Sequence, residues 1–134
     1  MRSPENERLV LAMWADYERE GLPAILRWSA ENARWRPFAG GGRVFRSSAI
    51  HRQEMDGAVA ERVTLRTWSL DDAVVVRGRI ETLIGDDTFL YWLHRIRARK
   101  ISWTASSPDL DLLFLDAGLD LDLAQHAYAQ LHGE

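Results

Sequence analysis

The spacing of hydrophobic positions changes character between the two halves of the chain. Near the start, Leu9, Val10, Met13, Trp14 and Tyr17 recur at intervals of three and four, which predicts a helix with one apolar face. Ser3-Pro4-Glu5 supplies its start signal: a capping hydroxyl, a proline at the first helical position and acids in the first turn. Gly21 ends it. Leu22-Pro23 opens a second, shorter helix that carries Ile25, Leu26 and Trp28 inward and decays near Ala30 to Asn32. Arg34-Trp35-Arg36-Pro37-Phe38 reads as a short strand, which Pro37 confines to an edge or a strand end. After the Gly40-Gly41-Gly42 loop, Ser47 or Ser48 caps a short helix running through Ile50 and Met55, closed by Gly57.

From Arg62 the period shortens toward two. Arg62 to Leu70 is rich in Val, Thr, Leu and Trp, and Asp71-Asp72 makes a tight turn. Ala73 to Ile84 sets Val74, Val76, Gly78, Ile80 and Thr82 on one face, with Val75, Arg77, Arg79 and Glu81 on the other. Gly85-Asp86-Asp87 turns the chain. Thr88 to Arg97 sets Leu90, Trp92, His94 and Ile96 on one face, with Tyr91, Leu93, Arg95 and Arg97 on the other. A polar turn around Ala98 to Lys100 leads to a last strand, Ile101 to Ser106, which Pro108 breaks. Leu110 to Gly118 and Leu121 to Leu131 read as two short helices. This order predicts an α+β chain, in which a curved, cone-like antiparallel or mixed sheet holds the N-terminal helices in its hollow. Such a shape makes a pocket.

Those elements, in that order, resemble the nuclear transport factor 2-like (cystatin-like) fold, and more narrowly the SnoaL-like polyketide cyclase and ketosteroid isomerase superfamily. The resemblance rests on Glu20-Gly21-Leu22-Pro23-Ala24-Ile25-Leu26 at the turn between helices and on Trp35-Arg36-Pro37 in the first strand. It rests also on Gly42-Arg43-Val44-Phe45-Arg46-Ser47 with Ala49-Ile50 in the loop and third helix. Asp72 to Arg79 and Arg99-Lys100-Ile101 carry it in the hairpins. It covers roughly residues 5 to 119 of a single domain spanning 1–134, with an extra C-terminal helix at about 121–131. The fold hosts isomerases, cyclases, hydrolases and binding modules, so it implies no single activity.

Ketosteroid isomerases of this fold use a first-helix tyrosine as oxyanion donor, a first-strand aspartate as base and a second, protonated aspartate on a long strand. The resemblance sets Met13, Arg36 and Trp92 at those positions. Methionine donates no hydrogen bond, arginine is a permanent cation, and indole is a donor only. The remaining acid/base candidate is His94, with Tyr17, one turn along the first helix, or Trp92 as donor. Met13, Trp35, Arg36, Phe38, Ile50, Val76, Ile80 and Trp92 are the expected ligand-binding residues. Two readings of His94 stand side by side: a proton-transfer group near neutral pH, or a neutral core histidine bonded to a neighbouring strand or to Tyr17. Arg34, Arg36, Arg43 and Arg46 either clamp an anionic ligand at the pocket mouth or form a solvated edge.

Composition trims the possibilities. The chain has 134 residues, 46% of them hydrophobic and 28% charged, with a net charge of -3, as for one soluble globular domain. Mixed signs and the lack of an aromatic-basic motif give no pull toward nucleic acid. The polar Met1 to Arg8 segment and the lack of a long apolar run predict no membrane association and a cytoplasmic location. Absence of cysteine removes disulfides, thiolate metal sites and cysteine nucleophiles. No histidine pair has ligand spacing, the C-terminal aspartates lack the other residues of a calcium loop, and the glycine triplet lacks a phosphate-loop lysine, so no metal and no cofactor is expected. The six tryptophans must enter a core, a pocket or an interface.

The sequence thus predicts a SnoaL-like protein that binds a small apolar or polycyclic molecule, with cyclase- or isomerase-type proton transfer by His94 and Tyr17. The alternative is a non-catalytic ligand-binding or interaction domain. In either case the resemblance implies a homodimer through the outer sheet face, anchored by Tyr91, Leu93 and Trp103.

Overall fold

The computed structural model describes residues 1–36, 45–46, 58–59, 66–82 and 87–133. The expected third helix, from Ser47 or Ser48 to Gly57, lies outside the described residues, as does the Gly40-Gly41-Gly42 loop. The element order is α1 (Pro4–Glu20), α2 (Leu22–Trp28), β1 (Ser29–Arg36), β2 (Phe45–Arg46), β3 (Ala58–Val59), β4 (Arg66–Leu70), β5 (Ala73–Thr82), β6 (Asp87–Arg97), β7 (Lys100–Ser107), α3 (Leu110–Asp116) and α4 (Leu121–Leu131). The strands form one mixed sheet in the order β2-β1-β7-β6-β5-β3, with β4 also paired to β5. β4 pairs with the start of β5, from Ala73 to Arg77, and β3 pairs with its end at Glu81 and Thr82. The sole parallel contact among the described strands joins β1 to β7.

That parallel pairing explains where the helical pattern of the second element stops. The spacing of apolar residues extends α2 toward Asn32, yet α2 ends at Trp28 and residues from Ser29 onward are strand. Ser29 is extended, and its Oγ donates to the Ile25 carbonyl at 2.7 Å, which satisfies one of the last-turn acceptors. The backbone from Ser29 then pairs with β7, whose partner positions begin at Ile101. A ladder partner distant in sequence decides a boundary that local propensity does not.

The two sheet faces are both buried. On one, α1 and α2 pack Val10, Met13, Trp14, Tyr17, Ala24 and Ile25 against Val74, Val76, Trp92, Ile96 and Ile101. On the other, α3 and α4 pack Leu110, Leu113, Phe114, Ala124, Ala127 and Leu131 against Trp68, Val75, Leu93 and Ala105. The alternation expected along β5 and β6 is therefore present from Val74 to Val76 and from Leu90 to Leu93, but each register of it meets a helical layer of the same chain. This corrects the interface expected at Tyr91, Leu93 and Trp103. Leu93 is fully buried, Tyr91 is 7% exposed and Trp103 packs partly buried against the same cluster, so these anchors are consumed inside the molecule. The C-terminal helices reach them because the turn at Pro108 returns the chain over the outer face, with Asp109 capping α3 and Asp120 capping α4.

The N-terminus is tied to the sheet through a buried carboxylate. Glu7 lies on the apolar stripe of α1, three residues before Val10 and seven before Trp14, and is 5% exposed. Thr67 Oγ1 and Ser69 Oγ each donate to it at 2.7 Å, and Arg2 donates through Nε at 2.9 Å and Nη2 at 3.2 Å. Ser69 Oγ in turn accepts from the Ser3 backbone N–H at 2.8 Å, beside the α1 cap. Burial alone would raise the Glu7 pKa; the hydrogen bonds from Arg2, Ser69 and Thr67 and the Arg2 charge outweigh it and hold the carboxyl below its ordinary value. A second carboxylate, Asp16, joins α1 to α2 by accepting from Trp28 Nε1 at 2.9 Å and Arg27 at 3.1 Å.

Two outcomes follow from this packing. Glu7→Gln lowers unfolding free energy at neutral pH by roughly 1–3 kcal/mol, since a charged acceptor of several donors is lost. The folded pKa of Glu7 is depressed, so its contribution is complete above the unfolded value near about 4.3 and is lost as pH falls through the folded one. Urea titrations at a series of pH values should therefore show wild type and variant converging in acid. Phe114→Ala, beneath α3 and 5.5 Å from the Trp68 ring, costs about 3–5 kcal/mol in the same measurement.

Candidate functional site

The sheet face covered by α1 and α2, which the sequence predicts to be the concave one, gathers six of the residues singled out from the sequence. Met13 and Val76 are fully buried, and Tyr17, Trp35, Trp92 and His94 are all under a tenth exposed. Met13 and Tyr17 come from α1, Trp35 from β1, Val76 from β5, and Trp92 and His94 from β6. Trp14 is at the centre, with its ring 5.5 Å from Tyr17 in an edge-on contact, 4.9 Å from Trp92 and 5.9 Å from His94. Trp14 belongs to the predicted apolar stripe of α1, but only the crossing of α1 over the sheet makes it the residue that meets His94. Arg36 closes β1 opposite Ala105, and Ile80 stands opposite Thr88 on β5 and β6. Their side chains, with Phe38 and Ile50, lie outside the described residues.

His94 has both ring nitrogens engaged. Trp14 Nε1 lies 3.2 Å from His94 Nε2, and His94 Nδ1 lies 2.8 Å from Thr104 Oγ1. An indole nitrogen only donates, so Nε2 accepts and the ring proton sits on Nδ1, donated to Thr104. Thr104 faces His94 because β6 and β7 pair antiparallel with these two residues in register. The imidazole is fully buried, and desolvation pushes its pKa down to about 3. In this environment the ring is neutral throughout the physiological range.

Trp35 presents the opposite case. It is 8% exposed, packed in the same cluster, and its buried Nε1–H has no hydrogen-bond partner among the described residues. Leaving such a donor unpaired costs about 1–3 kcal/mol. The donor set holds no cluster of histidine and carboxylate ligands among the described residues that fits a metal ion. No described helix is long and apolar enough to cross a membrane.

Arg34 does not join this cluster. It lines an open groove with Ala30, Asn32, Arg97, Ala98, Lys100 and Ser102. Arg43 lies outside the described residues, and Arg46 is placed only by its backbone, opposite Arg34 in β2.

Because His94 is neutral in the fold, linkage fixes the sign of its effect. The unfolded imidazole takes up a proton below about pH 6.5, whereas the folded one waits until about 3. The stability tied to the neutral ring is complete above the unfolded value and is lost as pH falls toward the folded one. The slope reaches up to about 1.4 kcal/mol per pH unit. The His94 ring resonances should stay flat between about pH 8 and 5, and His94→Gln should remove that part of the slope.

No family model matches the chain, and no curated protein does. Solved structures do. A nuclear transport factor 2-like protein of unknown function from Burkholderia pseudomallei is 18% identical, with 85% of this chain and 98% of that one covered at a TM-score of 0.58. A hypothetical protein with a ketosteroid isomerase-like fold from Catenulispora acidiphila, in complex with trimethylamine, is 16% identical, with 90% and 97% covered at 0.59. A de novo designed protein with a curved β-sheet is 17% identical, with 92% and 98% covered at 0.63. At such identities the likeness carries architecture and not chemistry. The N-terminal helices packed on one face of a mixed sheet, and these neighbours, together give the chain a nuclear transport factor 2-like fold, of the kind also seen in ketosteroid isomerase-like proteins.

Proposed function

We propose that the concave face takes up a flat, apolar small molecule carrying a hydrogen-bond acceptor, and that the protein acts by binding it rather than by transferring a proton. The observation that carries this reading is the Trp35 indole N–H: a buried donor with no partner among the described residues, in the same cluster as Trp14, Tyr17 and Trp92. A carbonyl or ether oxygen of a ligand would recover the energy that the unpaired donor forfeits. Trp14, Tyr17 and Trp92 pack ring against ring in this cluster, and parted by a ligand they would offer a planar, polycyclic body stacking surfaces. A protein of the same fold in complex with trimethylamine supports ligand binding as one use of the architecture.

The state of His94 weighs against the proton-transfer alternative. A general base near neutral pH needs a free lone pair and a pKa close to the working pH. The Nε2 lone pair of His94 is directed at Trp14, its Nδ1 proton at Thr104, and its pKa lies near 3. Tyr17 remains the hydroxyl on the same cluster and would orient a ligand rather than turn it over.

A thermal-denaturation screen of planar aromatic ketones, quinones and phenols, followed by tryptophan fluorescence, tests the proposal. A saturable hit that raises the melting temperature and quenches emission is expected. Trp35→Phe should then bind the same hit about tenfold more weakly. Equal affinity in the variant, turnover of the hit by the wild type, or no hit at all would each overturn it.

A further inference from the structure

On the sheet, three cations converge, and no acid among the described residues lines the groove they share. The tight turn between β6 and β7 sets Arg97 directly opposite Lys100. Like charges facing each other across two strands are unfavourable. β1 runs parallel to β7 on its other side and brings Arg34 into the same groove, which measures about 650 Å³ and is completed by Ala30, Asn32, Ala98 and Ser102. Arg34 and Arg97 are both exposed, and neither pairs with an acid among the described residues. Lys100 Nζ spends one donor on the Arg27 carbonyl at 2.9 Å and keeps two.

The backbone that holds these charges together is itself in a costly conformation. Ala98 and Arg99 both have positive φ, 51° and 61°. A two-residue hairpin turn of this kind ordinarily uses Asn-Gly or Asp-Gly, because a Cβ is strained there. A chain selected for stability alone would place glycine at the turn and an acid opposite one of the cations. Strain and uncompensated like charge at one place are features of a site.

We infer that this groove binds a small organic oxyanion, a phosphate monoester or a carboxylate. Arg34 and Arg97 supply forked donors, Lys100 a point charge, and Asn32 and Ser102 neutral polar contacts. Guanidinium forks match the geometry of both oxyanions. The volume is that of a small-molecule site, larger than an inorganic ion needs. The site is separate from the concave face, and the inference does not depend on the function proposed there.

The test uses the full chain with phenyl phosphate, benzoate and inorganic phosphate as probes, against chloride at equal ionic strength. Binding is read by calorimetry and by the chemical shifts of the arginine Nε–H groups. Saturable binding of phenyl phosphate or benzoate that moves Arg34 and Arg97 is expected, and whichever binds tighter names the oxyanion class. The double variant Arg34→Gln with Arg97→Gln should weaken that binding by at least about tenfold. Arg99→Gln, which alters an arginine of the same turn that pairs with Glu5 at 3.6 Å, should leave it within about twofold. A response no greater than that to chloride, equal loss in all three variants, or binding of inorganic phosphate alone as an adventitious ion would overturn the inference.

Discussion

Strands β5, β6 and β7 are apolar on both faces, and a sheet of that kind must be covered twice. Val74 and Val76 point one way and Val75 the other, all three fully buried; Trp92 and Leu93 repeat the division on the next strand. Burying each such side chain yields about 1.5–3 kcal/mol, so neither face can be left to water. The chain meets this demand from its own ends. The N-terminal helices take one face and the C-terminal helices the other, and the remaining features follow from that division.

One consequence concerns association. A sheet of this fold with a bare outer face would have to share it with a second molecule. Here Phe114, Leu113 and Leu131 occupy that ground, and α3 and α4 turn their acidic sides outward. After Lys100 there is no further lysine or arginine; the charged side chains are Asp109, Asp111, Asp116, Asp120, Asp122 and Glu134. The cations of β6 and β7 collect instead near the turn that α3 and α4 leave uncovered. A modest net charge thus conceals a pronounced separation of sign, which sets where anions are attracted.

The concave face illustrates how burial decides chemistry. His94 and Trp35 both bring polar groups to the same inner surface, yet among the described residues one is satisfied twice and the other not at all. Histidine has become part of the core because Trp14 and Thr104 absorb both of its nitrogens. The indole of Trp35 retains its donor. The fold does not choose between these outcomes, as its sharing with a designed protein illustrates; individual partners do.

Period and punctuation in the sequence were enough to set the order of α1, α2, β1 and the elements from β4 onward, the boundaries of α1 and α4, and the alternation of the described parts of β5 and β6, but not the two-residue strands β2 and β3. These depend on local geometry: side chains repeat every 3.6 residues on a helix and every two on a strand. Glu7 stands three residues before Val10 on the apolar stripe of α1, but its burial and its partners Thr67 and Ser69 came only with the tertiary structure. What the sequence could not contain was the identity of each face's neighbour. That α3 and α4 fold back over Tyr91 and Leu93, that β1 begins at Ser29 because β7 lies beside it, that His94 meets Trp14, and that Arg34 meets Arg97 all join residues far apart in the chain. Such contacts are decided by packing both sides of one sheet at once, a constraint that no local pattern of residues expresses.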